Sequence, residues 1–153
     1  MTRFSALSQE EIDQLVKAPL YIGLLIAEAD GFADEKELDW IEKICNFRKK
    51  TAHHSLREYY GKANEEVKAN MNLVRSELPE STKDRVEALA VMIGEMKPLL
   101  IKLEDRMQSR LIDSYQSLAL SVAEISGGLL NFFSMNPAEE KWLSLDMLED
   151  NDE

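Results

Sequence analysis

The chain reads as an all-α protein, a single-domain bundle of about seven to eight helices. Three observations predict this. Glycine and proline are scarce, six and four in 153 residues, and no alternating apolar-polar run is long enough for a strand. Capping residues recur just ahead of apolar stripes at helical spacing.

The elements follow in order. Ser8, with Glu11 three residues on, is a capping box that opens a short helix ending near Pro19. Residues 20–30 are apolar on nearly every side until Glu28, the mark of a buried central helix. Gly31 stops it, and Asp34 with Glu37 forms a second capping box. The helix beyond has Leu38, Ile41, Ile44 and Cys45 as its apolar stripe. A weaker helix is predicted over 52–60 and another over 64–78, where Val67, Met71, Val74 and Leu78 share a face. After Pro79, Ser81 and Asp84 restart the pattern, which Val86, Leu89, Ala90, Ile93 and Met96 carry to Pro98. A kink or a new helix begins there. The last long helix runs to Ser126, and Gly127-Gly128 ends it. Asn136, Pro137 and Glu139 open a final helix, closing a domain over 1–148 with 149–153 as a frayed, disordered acidic tail. "IAEADG" (26–31) and "VAEISG" (122–127) match as apolar-Ala-Glu-x-x-Gly, which predicts two pseudo-repeated helix-turn-helix halves.

Composition narrows the function. No run approaches the roughly 18 to 20 apolar residues of a membrane span, and the N-terminus has no signal-peptide core. With one cysteine, nothing demands an oxidising compartment, so the chain reads as cytoplasmic. The net charge of −11 opposes nucleic-acid binding. That charge is uneven: residues 48–60 carry four bases and one acid, and the stretches on both sides are acidic. Arg48, Lys49 and Lys50 are therefore either a solvated face or a docking site for an acidic partner.

The stretch 24–41 gathers Glu28, Asp30, Asp34, Glu35 and Glu37 around Gly31. Read as an EF-hand it fails, because the first ligand position falls on Ile26. A looser oxygen site for Ca²⁺ or Mg²⁺ stays open beside the capping reading. Capping accounts for Asp34 and Glu37 but not for Asp30, an acid at the C-terminal end of a helix dipole. Ferritin-like di-iron spacing is missing, since Lys50 and Thr51 stand where glutamates would precede His53 and His54. No phosphate-binding loop, nucleophile elbow or dinucleotide fingerprint occurs, and no enzyme is predicted. Cys45 reads as a small buried thiol. Leu129, Leu130, Phe132 and Phe133 fall in a connection between helices, where they either fold back on the bundle or dock a partner or a second copy.

The two turns, "LIAEADGFADEKELDWIEKI" and "VAEISGGLLNFFSMNPAEEKWLSL", resemble the tellurite-resistance TerB-like domains. The resemblance covers both ends of the chain; the centre agrees only in being helical. It implies an all-helical domain with non-enzymatic roles: tellurite and stress resistance, metal sensing or chelation, and association with membrane-linked complexes. A related domain in a DnaJ-like co-chaperone implies a protein-binding role. The metal-carrying acids would map onto Asp30, Asp34 and Glu37, joined by Glu28 and Glu124. Ser126 takes the place of Asp30 in the second turn, which argues against two symmetric metal sites.

Overall fold

The computed structural model of the chain describes residues 2–29, 33–125, 142 and 144–148. Among them every regular element is a helix or a 3-10 turn. After a 3-10 turn at Thr2–Phe4 come α1 (Gln9–Leu15), α2 (Ala18–Glu28) and α3 (Glu35–Thr51). A second 3-10 turn, His54–Leu56, leads into α4 (Arg57–Glu77). Then follow α5 (Thr82–Gly94), α6 (Lys97–Ile101), α7 (Asp105–Ile125) and a last 3-10 turn, Asp146–Leu148. Five of these helices have eleven residues or more.

The centre is α2, packed against α3, α4, α5 and α7. All its residues but Tyr21 are buried, as a helix apolar on every side requires. Its approach to α3 is close at Gly23, where a Cβ would stand 2.7 Å from Ile41 Cγ2. An alanine there would have to push Ile41 aside. The α3 stripe faces inward as predicted, with Leu38, Ile41 and Cys45 buried and Ile44 half-buried.

The caps follow the sequence closely. Ser8 and Glu11 form the full reciprocal box of α1. Asp34 caps α3 by accepting from the Glu37 amide at 2.8 Å, without the reciprocal Glu37 half of the expected box, and Ser81 caps α5 by accepting from the Asp84 amide. Pro98 stands in the first turn of α6, so a new helix does begin there.

Several boundaries differ from expectation. α1 ends at Leu15 rather than near Pro19, which falls in the first turn of α2, and α5 ends at Gly94 rather than at Pro98. The helices predicted over 52–60 and 64–78 are one, α4, which runs unbroken through Gly61. A glycine inside a helix costs only about 1 kcal/mol, and a continuous buried stripe outweighs it: Tyr59, Tyr60, Ala63, Val67 and Met71. The stretch after Pro98 divides instead, ending α6 at Ile101 before α7 starts at Asp105. The second glycine turn, the Asn136 cap and the 149–153 tail lie outside the described residues. No helix among the described residues is long and apolar enough to cross a membrane.

A chain of hydroxyls crosses this core. Leu15, the last residue of α1, would pass its carbonyl to the amide four residues on, but that residue is Pro19, which has none. Tyr59 of α4 supplies the missing donor, its hydroxyl 2.8 Å from Leu15 O. That hydroxyl has spent its proton, so it accepts from Tyr115 of α7 at 2.6 Å. Phe4 stacks on the Tyr59 ring, 5.7 Å between centroids. All three rings are buried.

Candidate functional site

The acidic turn comes first because the sequence pointed to it. Glu28 closes α2 with no exposed surface at all. Its Oε1 accepts from Arg75 Nε at 2.9 Å, and its Oε2 from Arg85 Nε at 2.6 Å and Nη2 at 2.5 Å. The same guanidiniums donate to Ala33 O and Pro79 O, tying α4 and α5 to the chain on either side. This corrects the reading of Glu28 as a metal ligand. Both its oxygens are taken, and two adjacent positive charges oppose a cation. Asp34 is likewise engaged as a cap, Glu37 lies half-buried in the first turn of α3, and Glu124 is exposed near the end of α7. Asp30 lies outside the described residues. Among the described residues, no three of histidine, cysteine, aspartate and glutamate are grouped to hold a metal.

The basic segment lies elsewhere. Arg48, Lys49 and Lys50 fill the last turn of α3, where positive charge is favoured by the helix dipole. Lys49 and Lys50 point to solvent, whereas Arg48 is half-buried against α7. Its Nη1 donates to Ser114 O and Oγ, at 3.3 and 3.2 Å, and its Nη2 to Ser117 Oγ at 3.0 Å. The guanidinium also stands 5.6 Å from the Tyr60 ring centre, and the Tyr60 hydroxyl bonds Ser114 Oγ. Phe132 and Phe133 lie outside the described residues.

Beside Arg48 is an open groove of about 480 Å³. Trp40, Lys43, Ile44, Phe47, Arg48 and Thr51 line it from α3, and Ser121 from α7. Phe47 is 66% exposed and Trp40 38%. Lys43 lies over the Trp40 ring, 5.0 Å from its centre. The other flank of α3 is different in kind. There Glu35, Asp39 and Glu42 meet α4 in a smaller cleft of about 250 Å³, and Lys68 Nζ stands 3.7 Å from Glu42 Oε1. One helix thus presents an apolar and basic edge toward α7 and an acidic edge toward α4.

The sequence reading missed Trp40, Lys43, Phe47, Thr51 and Ser121. A signal existed: Trp40, Ile44, Phe47 and Thr51 form a second stripe at helical spacing, so the apolar arc of α3 is wider than one buried face needs.

Burial pushes the Cys45 thiol up to about 12 and lifts the Tyr59, Tyr60 and Tyr115 hydroxyls above the ordinary tyrosine range. His53 and His54 are exposed, their rings 4.2 Å apart. Partial desolvation, and then the charges of Arg110 and His54, hold His53 below the ordinary histidine range. Its Nδ1 accepts from the Ser55 amide.

Compared with protein-family models, curated proteins and solved structures, the chain has no match in any of the three.

Proposed function

We propose that this chain is a non-enzymatic, TerB-like helical binding module that docks a protein along the α3–α7 groove. One observation carries the reading: two large aromatic side chains, Trp40 and Phe47, stay exposed along one groove that a basic turn adjoins. Scattered exposed apolar residues are ordinary, but aromatics gathered in a concave seat are what interfaces use as anchors. The acid surplus elsewhere on the chain favours a protein over a nucleic acid as the partner.

The cation-binding and stress roles implied by the resemblance rest on the 28–37 turn, where Glu28 is committed to two arginines. Partner binding therefore takes precedence. The pseudo-repeat belongs to the same reading. In its support, Ala27 and Ala123 are both buried at matching positions of helices that pack together; against it, Glu28 is buried and Glu124 exposed.

The test is affinity capture with the immobilised chain, run beside Phe47→Ser and Trp40→Ala variants of matched thermal midpoint. A protein held by the wild type and by neither variant bears the reading out. Identical captured sets on all three would sink it.

A further inference from the structure

Resting on that reading, we infer that the α3–α7 groove seats an amphipathic helix whose apolar anchors are flanked by acidic residues. Geometry selects a helix. The seat is a cleft between two helices, and its α3 edge runs from Trp40 to Thr51, about three turns or roughly 17 Å. Such a cleft accepts a third helix by fitting ridges into grooves, with anchors at one-turn intervals meeting Trp40, Ile44 and Phe47.

Charge selects the flank. Among the described residues, Lys43, Arg48, Lys49 and Lys50 pair with no carboxylate. The α3 dipole offsets part of this charge, but it amounts to only about half a unit at the helix end, and three bases crowd that last turn. Arg48 spends its donors on serine oxygens, which satisfy hydrogen bonds and leave the positive charge standing. On α7, Asp113 precedes Ser114 and Glu124 stands a turn beyond Ser121, and neither forms an ion pair with these bases. The partner's acids thus belong over the Arg48–Lys50 end and its apolar anchors over Trp40 to Phe47.

The test uses two fluorescein-labelled amphipathic peptides of about 18 residues with the same leucine seam, one flanked by glutamates and one by lysines. Each is titrated with the full chain and followed by anisotropy. The glutamate peptide should bind at least about tenfold more tightly at low salt, with the gap closing as salt rises. Phe47→Ser should weaken it by about tenfold, and Lys49→Glu with Lys50→Glu should erase the preference between the peptides. Equal binding of the two peptides overturns the inference. So does sedimentation showing a dimer that Phe47→Ser makes monomeric, since a second copy would then fill the seat. If neither peptide binds while Phe47→Ser still loses a captured protein, the acidic helix falls and the groove reading stands.

Discussion

Glu28 and Arg48 are both drawn into this fold, and it treats them in opposite ways. Glu28 is completely buried, and each of its oxygens is met by a guanidinium. Arg48 is half-buried and held only by neutral oxygens of Ser114 and Ser117 and by the face of Tyr60. The first charge is cancelled inside the protein and has nothing left for a ligand. The second is fixed in place with its field intact, beside the groove. A charged residue in an apolar setting is thus no sign of a site by itself; what matters is whether the fold has already neutralised it.

The sharpest way to break this contrast is Glu28→Ala. Losing the carboxylate strands two guanidiniums and should cost about 3–5 kcal/mol, measured by urea unfolding. A loss under about 1 kcal/mol would mean that Arg75 and Arg85 find water instead.

Next in size is an alkaline effect from the neutral core cluster. Cys45 ionises at about 12 in the fold against 9.0 ordinarily, and Tyr59, Tyr60 and Tyr115 are raised as well, all chiefly by burial. Their contribution is whole below the unfolded values and is lost as pH climbs toward the folded ones. Each group that ionises only on unfolding should remove up to about 1.4 kcal/mol per pH unit. The urea midpoint should fall steadily above pH 9, and less steeply in Cys45→Ala.

Arg48→Met keeps the stem and removes the guanidinium. It should cost about 1 kcal/mol, because serine oxygens can turn to water. A penalty equal to that of Glu28→Ala would erase the distinction between the two charges. Smallest of all, Lys49→Glu and Lys50→Glu should each change stability by no more than about 0.5 kcal/mol.

Much of the scaffold was legible because its signals are local. Ser8, Asp34 and Ser81 each mark a helix start within a few residues, and the unbroken apolar run of α2 announces burial by itself. What escaped depends on residues far apart in the chain. That Glu28 needed partners followed from its apolar helix, but Arg75 and Arg85 lie 47 and 57 residues away. The acidic turn therefore read as a ligand cluster. The groove was hidden for a related reason: the Trp40 and Phe47 stripe is plain on α3, yet only the placing of α7 leaves it uncovered.

The Tyr59 bond to Leu15 also bears on how the N-terminal end holds together in time. A helix of seven residues such as α1 would fray continually if left to itself. Its final carbonyl, deprived of a donor by Pro19, is instead closed by a hydroxyl from α4 that is in turn held from α7. Opening α1 means unmaking a contact at the centre of the bundle. Its amides should consequently exchange with solvent on the slow schedule of α4 and α7, so that this short N-terminal helix unfolds only when the middle does.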